Sequence, residues 1–167
     1  MSWITPELEM IIRLGLASVV GFLVGLDRES TGHPAGERTH ALVALGAATF
    51  AMISDRAFPG SDPARVAAGV VTGIGFLGAG MIVNQNPDRV SGLTTAAGIW
   101  AVGGIGLSIG AGLYWLGVSS AGFVLLILLS KRILRPCKRN AKKQSRREKK
   151  DQVRAQSQPQ DETTSLD

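Results

Sequence analysis

The stretch Gly25–Ala47, GLDRESTGHPAGERTHALVALGA, decides how the chain is read. Both of its ends run on into apolar sequence. Between them stand Asp27, Arg28, Glu29, His33, Glu37, Arg38 and His40. Gly32, Pro34 and Gly36 make Ser30–Gly36 a loop. Charge crowds the edges of that loop and is nearly absent from the runs beyond it. A polar layer where two membrane helices end has this pattern.

Working outward, an apolar helix needs roughly 17–25 residues to span a bilayer. Five segments are read as spans: Leu8–Leu26, a short one at Thr39–Ile53, Arg65–Val83, Leu93–Ile109 and Leu113–Leu134. Pro6 suits the first helical turn, where its missing N–H is no loss. Phe58–Ala64, with Pro59, Gly60 and Pro63, is a loop, and Asn84–Val90 is read as a polar turn. Ser91 is the expected N-cap of the fourth span. Gly110–Ala111–Gly112 is a tight turn, and Pro136 ends the fifth span. The expected fold is therefore all-α: a polytopic membrane bundle over residues 1–134, followed by a basic, disordered tail over 135–167.

The charge distribution gives the expected orientation. Residues 1–130 carry 6 Lys/Arg and 8 Asp/Glu, whereas residues 131–150 carry 11 Lys/Arg and the single acid Glu148. The net charge of +5 thus belongs to the tail, and the mean hydropathy of +0.18 understates the rest. Lys131, Arg132, Arg135, Lys138 and Arg139 directly follow the last span, which predicts a cytoplasmic C-terminus and an outside N-terminus. Trp3, Phe58, Tyr114 and Trp115 then fall at the outer interface. The layer around residues 27–40 faces the cytoplasm, joined by Thr94 and Thr95 at the start of the fourth span. No aromatic residues interleave with the basic cluster, so it is read as a topology determinant and not as a nucleic-acid site. The opening residues MSWITPELE lack the basic start of a signal peptide. A lone cysteine, Cys137, excludes an intrachain disulfide.

The candidate functional layer comprises Asp27, Arg28, Glu29, Glu37, Arg38, His40, Thr94 and Thr95. Two helix N-termini point at it. Its carboxylates suit a hard cation such as Mg²⁺, while Arg28 and Arg38 can neutralise them in bidentate pairs. A structural charge network and a functional site therefore both remain open. Glu29 and Arg38, on opposite shores of the loop, are expected to pair. His40, at a helix start, reads as a hydrogen-bonded residue before a metal ligand or a switch. No nucleophile–base set, P-loop or metal-binding motif is visible, so no enzyme and no resident cofactor are expected.

Gly73–Gly78 fits G-x-G-x-x-G, but it lies inside an apolar span with no strand before it, so it is not a dinucleotide site. Gly69, Gly73, Gly75, Gly78 and Gly80 are instead read as helix packing, as are Gly21 and Gly25 in the first span. Gly98, Gly103, Gly104, Gly106 and Gly110 mark the fourth span in the same way. Arg13 is read as pairing with Glu9 one turn away, in preference to lining a pathway. Trp100 is expected to face the bundle, because its N–H needs a partner.

Four stretches, taken in order, resemble the MgtC/SapB family of bacterial membrane proteins: GLDRE (25–29), GERTHALVALGA (36–47), RVAAGVVTGIGFLGAGMI (65–82) and GLTTAAGIWAVGGIGLSIGAGLY (92–114). The likeness covers roughly residues 8–130. At Asp27 the family usually has Glu, which keeps the charge and lengthens the reach. The resemblance implies a multi-pass protein of the bacterial cytoplasmic (inner) membrane, linked to magnesium homeostasis and growth in low magnesium. It also implies membrane partners such as ATP synthase or magnesium transport systems. Some longer members carry a folded cytoplasmic domain where this chain has its basic tail. Two functions are expected: a non-enzymatic regulator acting through membrane partners or as a homo-oligomer, and an ion transporter, Mg²⁺ or proton-coupled, using the polar layer.

Overall fold

The computed structural model describes residues 5–57, 60, 62–86 and 89–133, and the side chains at 83–89 and 131–133 fall outside that description. Among the described residues there are five helices: α1 (Pro6–Ser30), α2 (Glu37–Arg56), α3 (Pro63–Gly80), α4 (Leu93–Gly110) and α5 (Tyr114–Ile133). α1, α3 and α4 are long and apolar enough to cross a membrane. The chain divides into two units at Leu128, and the second is described only over the last turns of α5. Trp3, Phe58, Asp88 and the tail over 135–167 lie outside the described residues.

Local chemistry sets the helix limits. Thr5 caps α1 by accepting from Leu8 N–H at 3.3 Å, and Pro6 opens the helix. Asp62 caps α3 by accepting from Ala64 N–H at 2.9 Å, ahead of Pro63. At the fourth helix the cap is Gly92 and not Ser91. Gly92 has φ +92°, and a Cβ there would run into the Met81 carbonyl, so only glycine fits.

The segment expected as a polar turn between the third and fourth spans is a small antiparallel ribbon, β1 (Val83–Asn86) with β2 (Arg89–Ser91). Val83 pairs with Ser91 and Asn84 with Val90. Its two strands, VNQN and RVS, lack the sustained apolar–polar alternation that signals a strand, so the sequence reads as a turn. The third helix accordingly stops at Gly80, and Val83 belongs to the ribbon.

α4 is the hub of the first unit. It carries no charge, and its buried residues Val102, Ile105 and Ile109 meet Ala17, Val20 and Val24 of α1, Ala44 and Ala48 of α2, and Ala121 of α5. Ile74 of α3 forms one buried cluster with Ile99 of α4, Ala47 of α2 and Ala35 of the loop. Small residues set the spacing. A Cβ at Gly21 would lie 2.6 Å from the His40 carbonyl, and one at Gly25 would run into Glu37 Cα, so α1 touches the backbone of α2. A Cβ at Gly110 would lie 2.5 Å from the Ala48 carbonyl, and one at Gly106 would strike the Ala44 carbonyl. α2 and α4 therefore also meet backbone to backbone, as small-residue packing requires.

The glycines of α3 behave differently from the reading given to them. Of Gly69, Gly73, Gly75, Gly78 and Gly80, only Gly78 has a neighbour in the chain, Ala96 at 3.5 Å. α3 leans on α4 through Ile74 and Gly78, which leaves the other four glycines open. Gly69 and Gly73 line an apolar groove of about 710 Å³ against Leu42, Gly46 and Phe50 of α2. Trp100 is also corrected: it is 56% exposed and turns away from the bundle.

The α3–α4 contact has a direct check. An ideal Cβ at Gly78 lies 3.5 Å from Ala96 Cβ, inside the range a disulfide needs. Gly78→Cys with Ala96→Cys, in a Cys137→Ser background, should form an intramolecular disulfide in good yield on mild oxidation. Gly75→Cys with Ala96→Cys should not.

Candidate functional site: a buried arginine–histidine–threonine cluster

α1 ends, α2 begins and α4 begins around the same small volume, and the layer foreseen in the sequence sorts itself by burial there. Arg28, His40 and Thr95 are 2%, 0% and 1% exposed. Asp27 and Glu37 are half-buried, and Glu29, Arg38 and Thr94 are exposed. The structure thus gathers three of the eight residues into a buried cluster and spreads the others over its rim.

Each buried member is placed by its helix. Arg28 is in the last turn of α1, three residues after Gly25, whose missing side chain lets α2 close over the turn. Its Nη2 donates to Thr95 Oγ1 at 3.4 Å, a long bond, and its Nε has no partner. His40 lies in the second turn of α2. Its Nδ1 is 2.9 Å from the Gly36 carbonyl. A carbonyl only accepts, so Nδ1 carries the proton, and in the neutral ring Nε2 presents a lone pair. That Nε2 is buried without a partner. The expectation that His40 is hydrogen-bonded at a helix start holds for one ring nitrogen only.

The rim departs from the expected pairing. Glu29 and Arg38 form no ion pair; Glu29 instead shares a hydrogen bond with Glu37. Its carboxylate lies over Gly36, where a Cβ would collide with it. Two carboxyls bond only if one of them holds a proton. Glu37 stands at the first position of α2, beyond the apolar run. Its own backbone N–H first, and the Glu29 carboxyl second, hold its carboxyl below the usual range. Arg38 adds only a field at longer range. Opposite charges across a loop suggested a salt bridge, but the tight turn at Gly36 brings the two acids together and sends Arg38 outward. Among the described residues no group of three His, Cys, Asp or Glu is placed to hold a metal ion.

A second polar cluster sits at the other end of α1, and the sequence disclosed half of it. Arg13 pairs with Glu9, as expected, and also donates from Nε to Tyr114 Oη at 3.0 Å and from Nη1 to the Gly110 carbonyl at 2.8 Å. Tyr114 donates to Glu9 at 3.1 Å. These partners lie about a hundred residues apart in sequence, so no local signal announces them. Gly112, at φ +83°, bends the chain beneath the guanidinium. Arg13 is fully employed, whereas Arg28 is not.

Glu37 allows a test of the rim. A carboxyl lowered in the folded state adds stability above its unfolded value of about 4.3, and that stability is lost as pH falls through the folded value. Glu37→Gln should lower the thermal midpoint at neutral pH and flatten the acid limb of the stability profile. Glu29→Gln, whose amide still donates to Glu37, should leave that limb in place.

The comparisons with known proteins now bear on this geometry. The profile of the MgtC family matches residues 14–136. The chain is 45% identical over 128 residues to "Putative magnesium transporter YhiD" of Escherichia coli (strain K12), covering 72% of this chain and 59% of that one. It is 45% identical over 134 residues to "Protein SrpB" of Synechococcus elongatus, covering 72% and 74%. It is 42% identical over 121 residues to "Protein MgtC" of Brucella abortus (strain 2308), covering 72% and 49%. The match thus spans 59% of the Escherichia coli relative's length. No solved structure matches it. All five helices, including those that carry Arg28, His40 and Thr95, fall largely or wholly within the matched region, and the chain belongs to the MgtC family.

Proposed function

We propose that this protein is a non-enzymatic regulator in the bacterial inner membrane, tied to magnesium homeostasis and acting through contacts with other membrane proteins. It spans the membrane five times, with its N-terminus outside and the Arg28–His40 end at the cytoplasmic face. The magnesium link rests on family membership and on the name carried by the Escherichia coli relative. The partners are a second copy or membrane complexes such as ATP synthase or magnesium transport systems.

One observation carries the regulator reading: the open glycines of α3, three of which (Gly69, Gly73 and Gly80) share one face. A Cβ at Gly69, Gly73, Gly75 or Gly80 would meet no atom within 4 Å among the described residues, whereas Gly21 and Gly25 of α1 and Gly106 and Gly110 of α4 are in close contact. A helix that only meets lipid gains nothing from four missing side chains, whereas a helix that meets another helix gains close approach. The groove beside these glycines is lined by apolar residues apart from Thr39 and holds none of the acids.

A transporter is the second reading, favoured by the unpartnered buried atoms of Arg28 and His40. The positive charge of Arg28 opposes passage of a divalent cation there.

The readings separate in one strain and one vesicle assay. Gly69→Leu with Gly73→Leu should leave the protein folded and abundant, because a Cβ at either position meets no atom within 4 Å and the groove of about 710 Å³ that they line has room for the rest of each side chain. The regulator reading expects this variant to lose support of growth in low magnesium. Purified wild-type protein in liposomes should show no Mg²⁺ flux above protein-free vesicles. Wild-type growth of the variant, or a protein-dependent Mg²⁺ flux, contradicts it.

A further inference from the structure

The end of the bundle away from Arg28 holds a cleft that the regulator reading does not use. α2 and α4 finish there and α3 begins, and a cleft of about 350 Å³ lies between them. That volume suits a small organic molecule. Most of its walls are apolar: Ala51, Ala64, Ala67, Leu107 and Leu113 line it. Three polar side chains join them, Ser54 and Asp55 in the last turn of α2 and Ser108 in the last turn of α4. Ser54 is 4% exposed, whereas Asp55 is open to solvent.

The hydrogen-bond donors of this lining are already spent. Ser108 donates to the Gly104 carbonyl at 2.9 Å, and Ser54 turns its hydrogen to the Pro63 carbonyl at 3.5 Å. Ala64 N–H goes to Asp62 Oδ1 at 2.9 Å, Ala111 N–H to the Leu107 carbonyl at 2.9 Å and Leu113 N–H to the Ser108 carbonyl at 2.8 Å. Pro63 has no N–H, and the remaining lining residues lie inside helices, where each N–H bonds four residues back. What the cleft offers a ligand is therefore acceptors: a carboxylate and the lone pairs of two hydroxyls. The field has the matching sign. α2 and α4 bring their negative ends to this place. α3 brings a positive end, which the Asp62 cap occupies. Arg56 and Arg65 are exposed and line no part of the cleft.

Two kinds of cation seek acceptors. A divalent metal ion takes six or more oxygen ligands and usually several carboxylates. One carboxylate and two hydroxyls between apolar walls do not suit it. An ammonium has three N–H donors, and a hydrocarbon body attached to it gains from apolar walls. We propose that this cleft binds a small primary amine that carries one positive charge on a short hydrocarbon body. The ammonium donates to Asp55 and to the hydroxyls of Ser54 and Ser108, and the hydrocarbon lies against Ala67 and Leu107. In the orientation proposed above, the cleft opens to the outside, and the amine enters from there.

The test uses the purified full chain in detergent at about pH 7, with the thermal unfolding midpoint as the readout. n-Butylammonium chloride replaces sodium chloride at constant ionic strength. Two controls run beside it: tetramethylammonium chloride, a cation without N–H, and n-butanol, the hydrocarbon body without charge. The site predicts a saturable rise with butylammonium and none with either control. Asp55 is exposed, so Asp55→Asn should fold as the wild type does, and its apparent dissociation constant for butylammonium should be roughly tenfold higher. A wild-type midpoint indifferent to butylammonium overturns the proposal. So does an equal rise with tetramethylammonium, which means charge screening alone, or with butanol, which means apolar contact alone. Asp55→Asn with the affinity of the wild type overturns it as well.

Discussion

Backbones of α2 and α4 touch where Ala44 and Ala48 face Gly106 and Gly110, and the backbones of α1 and α2 touch at Gly21 and Gly25. In lipid the apolar side chains have no reason to leave their solvent, so association depends on dispersion and close fit. Close fit at these positions means that no side chain intervenes. Three helices are thereby held at a spacing that larger residues cannot share, and Val24, Val102 and Ile105 fill what remains. Everything polar in the molecule has to accommodate that spacing.

The two ends of α1 show what this costs. At one end Arg13 finds Glu9, Tyr114 and the carbonyl of Gly110, so a half-buried charge ties α1 to the turn before α5. At the other, α2 closes over α1 through Gly25 and Gly36 so tightly that Arg28 and His40 are shut in with polar atoms unpaired. A protein under selection for stability alone has cheaper residues for that place, since an apolar side chain of similar volume leaves nothing unsatisfied. The acids that sequence reading set beside these residues are pushed to the rim, where Glu29 and Glu37 face each other.

Much of the fold was legible because it is written locally. Thr5, Pro6, Asp62 and Pro63 start helices by their own capping chemistry, and the apolar runs fix where helices lie. Gly21 and Gly25 were read as contact residues and are. What failed was the assignment of faces. The glycines of α3 look like those of α4 in sequence, yet α4 sits at the centre with neighbours around it, whereas α3 has α4 on one side and open space on another. Which side of a wholly apolar helix points inward is not recorded in its period. Trp100 went astray for the same reason. The Arg13–Tyr114 contact and the Arg28–Thr95 contact join distant segments, and no spacing rule reaches that far. Glu29 and Arg38 misled because charge sign is local information, and the turn at Gly36 decides which side chains meet.

The central claim is that α4 is locked to α2 by backbone contact while α3 keeps its glycines open. Thermal unfolding of Gly106→Ala and Gly73→Ala, in one detergent and against the wild type, tests it most directly. The same methyl group is added to an α-helix in both. At Gly106 it strikes the Ala44 backbone, which no rotamer relieves, and the midpoint should fall by an amount equal to about 1–3 kcal/mol of overpacking. At Gly73 it meets nothing, and the midpoint should hold or rise, since alanine is the better helix former. A Gly106→Ala protein as stable as the wild type, or a Gly73→Ala protein that loses as much as Gly106→Ala, contradicts the account.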